Sequence, residues 1–238
     1  MSGNGPTQGA WRDRIRSILG GERSGASEKG RSGFDPRRAE AWPASFPKDE
    51  TTRQSRALEQ FLVTLRDQPP SAILDLGGAN QANISYLTSL GHRLSSENVL
   101  HSLDNIWGDP NLSESRKIED FLDQTLNYQD ASFGGVLVWD TLQFMPQPLL
   151  EAVVQRLGSV LVSGAQVLAY TPADERSRVI PSYAYRIVDW RTIHVQPREL
   201  RQRENYFNNR SVERLFQNFT AVKFFLTRDH LREIVVKR

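Results

Sequence analysis

The chain contains no cysteine and only four histidines in 238 residues. Without cysteine there is no disulfide framework, no thiolate metal site and no cysteine nucleophile. His92, His101, His194 and His230 form no H-x-x-x-H pair, so nothing marks a zinc site. No apolar stretch approaches the roughly 18–20 residues that span a bilayer. The first residues also lack the apolar core of a signal peptide, and a cytoplasmic protein is the expectation. A large charge excess is missing too, since 30 Lys/Arg stand against 28 Asp/Glu. With 38% hydrophobic and 24% charged residues, the chain suits one sizeable globular domain.

The balanced total hides a division. Residues 1–66 carry a net charge of +4, residues 67–175 one of −10 and residues 176–238 one of +8. An acidic middle between basic ends offers different surfaces to different partners. Residues 1–50 are rich in Gly, Ser, Pro and Arg and read as a flexible tail that cannot bury enough apolar surface to order itself. Within it Trp11, Ile15, Ile18 and Leu19 recur at helical spacing among arginines. That piece is a weak candidate for peripheral membrane contact through residues 11–19, set against the plainer reading of a transient helix.

From residue 51 the pattern becomes regular. Thr51 to Asp67 has helical periodicity in Leu58, Phe61, Leu62 and Leu65, and Pro69-Pro70 stop it. Short apolar runs of strand length follow at 71–76, 134–139 and 165–170, and residues 92–98 give a weaker, more polar strand signal between the first two. Between them lie helical stretches at 80–90, 113–126 and 147–160. The expectation is a doubly wound, mostly parallel, seven-stranded Rossmann-like α/β sheet. The end breaks the rhythm, because Ala221–Leu226 and Leu231–Lys237 flank four polar residues and predict an antiparallel hairpin.

Chemistry concentrates at one turn. Ile73-Leu-Asp-Leu-Gly-Gly78 places a strand, the Asp75 carboxylate and then Gly77 and Gly78 at the entry to a helix. Ligands of such sheets sit beyond the carboxyl ends of the strands, where this turn falls. Glycine lets the backbone approach a ligand, and a helix N-terminus offers free N–H groups. Glu97 follows 22 residues after Asp75, at the end of the second strand, where a carboxylate can accept both ribose hydroxyls. Asp140 ends the next strong strand on the same rim. The plainer reading is an ordinary strand-to-helix turn with acidic strand ends.

These residues resemble the class I S-adenosylmethionine-dependent methyltransferases over residues 51–238. Ile73-Leu-Asp-Leu-Gly-Gly-Ala-Asn-Gln81 is similar to the family's first motif, and Phe133-Gly-Gly-Val-Leu-Val-Trp-Asp140 to its fourth. The Asn-Arg-Ser and Phe-Phe-Leu-Thr-Arg-Asp segments resemble in particular a methyltransferase-like group of acidobacterial type. The resemblance implies S-adenosylmethionine bound near Asp75, Gly77, Gly78, Ala79 and Glu97. Asn127, Asp123 and Asp130 are alternatives for contact with the adenine. It implies methyl transfer to a small-molecule acceptor, an anionic one among the candidates. Asp140 is the first candidate base and Tyr170 the second. The pattern departs from the family where Ala79 and Gln81 replace motif glycines and Gly134 replaces an acid. Gly78 can compensate by shifting the turn one position.

The segment 172–210 is expected to carry substrate contacts. It holds Arg176, Arg178, Arg186, Arg191, Arg198, Arg201, Arg203 and Arg210 among Tyr183, Tyr185, Trp190, Tyr206 and Phe207. Arginines with aromatics can bind nucleic acid. That ranks below a solvated basic face pairing with the acidic middle. The rival to an enzyme is a non-catalytic binding or scaffold protein of the same fold. A dinucleotide oxidoreductase is disfavoured by the terminal hairpin. The oligomeric state and the acceptor are open.

Overall fold

In a computed structural model, Pro43 and residues 46–173, 177–225, 227 and 231–238 are described. All fall in one compact unit, Trp42–Arg238. The segment 11–19 and most of the tail lie outside the described residues. At the tail's end Phe46 is already buried, so the folded part starts before residue 51.

The elements run β1 (Thr51–Gln54), α1 (Arg56–Arg66), β2 (Ala72–Asp75), α2 (Gln81–Ser89), β3 (Arg93–Ser96) and α3 (Val99–Trp107). There follow α4 (Glu114–Thr125), β4 (Phe133–Trp139), α5 (Gln147–Val160) and β5 (Leu161–Pro172). Then come β6 (Val179–Ile187), β7 (Thr192–Gln202), α6 (Asn209–Leu215), β8 (Ala221–Phe225) and β9 (Leu231–Lys237).

The main sheet has six strands in the order β3-β2-β4-β5-β9-β8. Neighbours from β3 to β5 are parallel, while β9 runs antiparallel to both β5 and β8. The hairpin is therefore where the sequence put it. The seven-stranded sheet is corrected to six. Residues 98–132, between β3 and β4, form two helices and a polar connection and supply no further strand.

A second sheet, β1-β7-β6, is antiparallel throughout. It overturns one expectation. Thr51–Gln54 is a strand on β7 and not the first turn of a helix, and Ser55 caps α1 behind it. The arginine-rich segment, expected to carry substrate contacts, is largely two long strands.

Residues that look like motif losses have packing reasons. A Cβ on Gly134 would fall 2.4 Å from Ser71 Oγ, and one on Gly135 would fall 2.8 Å from Phe61 Cζ. Phe61 of α1 thus sits directly on β4, which brings the helix close to the sheet centre. Buried Glu233 on β9 pairs with Arg53 at 2.5 Å and accepts the Ala57 N–H at 2.9 Å. That contact fastens β1 and the start of α1 to the main sheet.

Candidate functional site

The turn after β2 is built by backbone bonds to the end of β3. The Glu97 N–H donates to the Asp75 carbonyl at 2.8 Å, and the Gly78 N–H donates to the Glu97 carbonyl at 3.0 Å. Gly78 has φ +89, so the left-handed residue sits at the position after Gly77. Neither Ala79 nor Gln81 has positive φ, and both are exposed. The two missing glycines therefore impose no backbone strain. Gln81 turns away to Ser85 at 3.1 Å, and Asn80 caps α2 by accepting from Ala82 at 2.9 Å.

Asp75 is sealed. It is 0% exposed. One oxygen accepts from the Gly77 N–H at 2.9 Å and the Trp139 indole at 2.7 Å, and the other from Asn83 at 3.1 Å. Burial raises its pKa, while those three donors and the charge of Arg198 pull the other way. Asn83 carries the seal onward. It donates to the Tyr185 carbonyl at 3.1 Å and accepts from the Ile187 N–H at 2.8 Å, tying α2 to β6.

Trp139 is one residue that sequence reasoning missed. A Cβ on Gly77 would lie 2.7 Å from Trp139 Cδ1, so the space left by the glycine receives the chain's own indole. Trp139 has φ +55, where the register of β4 on β5 shifts between Leu137 and Trp139. For a side chain of that bulk a left-handed backbone costs roughly 1–2 kcal/mol. The ring lies parallel to Tyr185, with centroids 5.0 Å apart, and Tyr170 closes the cluster 5.9 Å away.

Asp140 follows Trp139 and is buried. Its Oδ2 accepts the Tyr183 N–H at 3.2 Å. Burial pushes its pKa up to about 7, against that N–H and the charge of Arg198. Arg198 itself is exposed on β7. Tyr170 is in the same layer, with its hydroxyl 2.8 Å from Ser55 Oγ, the cap of α1. The structure thus places both candidate catalytic residues under the β6–β7 sheet, and Tyr170 in a structural bond.

The Glu97 end differs. Its carboxyl is half-buried, and among the described residues only the Tyr128 hydroxyl donates to it. Burial and the Glu97 carboxylate both raise the pKa of Tyr128. Asn127, one of the three alternatives for the adenine contact, is exposed one residue earlier, and Asp123 and Asp130 are exposed too. Tyr128 is set in place by buried Arg156, which donates to the Leu126 carbonyl at 3.1 Å, to the Tyr128 carbonyl and to Asp130 at 2.5 Å.

The arginines of 176–210 divide. Arg201 pairs with Asp104 of α3 and with Glu199 at 2.5 Å, and Arg203 donates to the Asn205 carbonyl at 2.9 Å. Arg191 lies over the exposed Trp190 ring, 4.9 Å from its centroid, and Arg176 is outside the described residues. Pairing with the acidic middle therefore accounts for Arg201. Among the described residues no cluster of three metal-ligating side chains occurs, and no helix is long and apolar enough to cross a membrane. A cleft of about 640 Å³ borders Ala72, Arg93 and Phe133, at the amino ends of the strands and away from the turn.

No protein-family model and no curated protein matches the chain. Solved structures do resemble it. One is a Burkholderia thailandensis 1,6-didemethyltoxoflavin-N1-methyltransferase with bound 1,6-didemethyltoxoflavin and S-adenosylhomocysteine (12% identity, 77% of each chain, TM-score 0.42). Another is a SAM-dependent methyltransferase from Methanosarcina mazei (12% identity, 74% of this chain and 96% of that one, TM-score 0.39). A third is the PH0226 protein of Pyrococcus horikoshii OT3 (15% identity, 76% and 87%, TM-score 0.45). These are distant likenesses, and the fold described above rests on its own strand order.

Proposed function

We propose that the chain is an S-adenosylmethionine-dependent methyltransferase acting on a small-molecule acceptor. The observation that carries this reading is the backbone-locked pair at the ends of β2 and β3. There the Asp75–Gly78 turn and Glu97 are held together by two main-chain bonds, of 2.8 and 3.0 Å, beyond the carboxyl ends of adjacent parallel strands. That is where a nucleoside-bearing ligand meets a doubly wound sheet. Glu97 suits the ribose end of the cofactor, because its carboxyl is partly open and, among the described residues, engaged by the Tyr128 hydroxyl alone. The resemblance in solved structures, one holding S-adenosylhomocysteine, is in keeping with this choice.

The amino-acid end of the site is filled by the chain's own residues. The Gly77 face is covered by Trp139, and all the donors around Asp75 are internal. That covering favours a second reading, a non-catalytic binding module of the same fold. Calorimetric titration with S-adenosylmethionine and S-adenosylhomocysteine separates the two. Binding near micromolar, about −8 kcal/mol, that is lost in Glu97→Ala supports the enzyme. No heat from either ligand at about millimolar concentration leaves the module.

A further inference from the structure

We propose that Trp139, backed by Tyr185, is an internal occupant of the cofactor slot, and that ligand enters only when the β6–β7 hairpin releases it. The inference deepens the methyltransferase reading and rests on it. Four independent features converge on this layer. The indole lies in the space that the absent Gly77 side chain opens, and its N–H is held by Asp75 at 2.7 Å. Its backbone sits at φ +55, a conformation kept only where surrounding contacts impose it and one that gathers at switch and ligand sites. Its outer face is covered by Tyr185, stacked within 3° of parallel. The strand that carries Tyr185 is fixed to the site by three bonds. Asn83 bonds the Tyr185 carbonyl and the Ile187 N–H, and Asp140 accepts the Tyr183 N–H.

The arrangement has a simple logic. Asn83 is on the helix that follows the glycine turn, and it touches both Asp75 and β6. A ligand that displaces the indole removes a donor from Asp75 and a stacking partner from Tyr185 together. Closed and open forms are thus two packings of the same residues, and a ligand shifts them only by its differential affinity. The wild type therefore binds less tightly than an open slot would, because part of the ligand's binding energy goes into freeing the hairpin.

Two measurements test this. In Trp139→Asn the side chain is short and tolerates left-handed backbone, and S-adenosylhomocysteine is expected to bind it at least about tenfold tighter than the wild type. In the unaltered protein, hydrogen exchange at the Tyr183 and Ile187 amides is expected to speed up when S-adenosylhomocysteine is added. Equal affinity of wild type and variant, or bound ligand with both amides unchanged, overturns the plug and leaves the methyltransferase reading standing. If a folded Trp139→Asn protein binds neither S-adenosylhomocysteine nor S-adenosylmethionine, both fail.

Discussion

Asp75 and Glu97 end adjacent strands and read as two halves of one motif, yet the chain treats them in opposite ways. Among the described residues Asp75 has three donors and no exposure, whereas Glu97 is half-buried with one donor. The difference comes from what stands opposite each carboxylate. Trp139, Asn83 and β6 close over the first, while the connection carrying Tyr128 only borders the second. A residue's place at a strand end fixes where it is. Its neighbours decide whether a ligand can reach it.

Substitutions sharpen this contrast. The largest effect belongs to Asp140 on the sealed side. Its carboxyl sits at about 7 instead of 3.8, so the folded chain keeps a proton that the unfolded chain releases. This contribution is full below about pH 4 and is lost as pH rises through about 7, a fall of about 4 kcal/mol. Asp140→Asn stays neutral and should flatten most of that slope in urea unfolding between about pH 4 and pH 8. Burial raises the Asp75 pKa in the same direction, which leaves a residual slope.

Asp75→Ala comes next. It leaves the buried Trp139 indole N–H and one N–H of the buried Asn83 amide without their acceptor, at an expected cost of about 3 kcal/mol in denaturant unfolding. Ser55→Ala removes the α1 cap and the partner of the Tyr170 hydroxyl, and about 1 kcal/mol is expected by the same measurement. The smallest change in stability is at the open end. Glu97→Ala should alter unfolding by no more than about 0.5 kcal/mol, while removing the cofactor binding that the proposed function requires. If Glu97→Ala destabilised as strongly as Asp75→Ala, the contrast between the two ends would collapse.

Much of the main sheet was legible because its strands are short apolar runs with glycine at their ends. Ile73-Leu74 and Val136-Leu137-Val138 can hardly be anything but buried. The second sheet was not legible. β1 is Thr-Thr-Arg-Gln, polar throughout, and becomes a strand only by pairing with β7 some 140 residues later, as in Thr51 opposite Val195. β6 and β7 contain Pro181, Pro197 and several arginines, so their alternation is hard to see in a single sequence. At the site, the shift of the left-handed residue to Gly78 was readable from the missing glycines. The closing role of Trp139 was not, because nothing in the string Val-Trp-Asp announces a positive φ or a ring laid on Gly77. Tyr128 was missed for a similar reason, since its place depends on Arg156 reaching back from α5.

The most direct test of the sealed end is solvent exchange of the tryptophan indole N–H groups by NMR, with the Trp139 signal assigned from its absence in Trp139→Asn. Trp190 is 47% exposed and Trp139 is 1% exposed, so one molecule carries both the probe and its control. The account predicts exchange at Trp139 slower than at Trp190 by about a hundredfold or more, as for a group that needs cooperative opening. Equal rates at the two indoles would contradict it, and the slot over Gly77 would then be open to ligand in the resting protein.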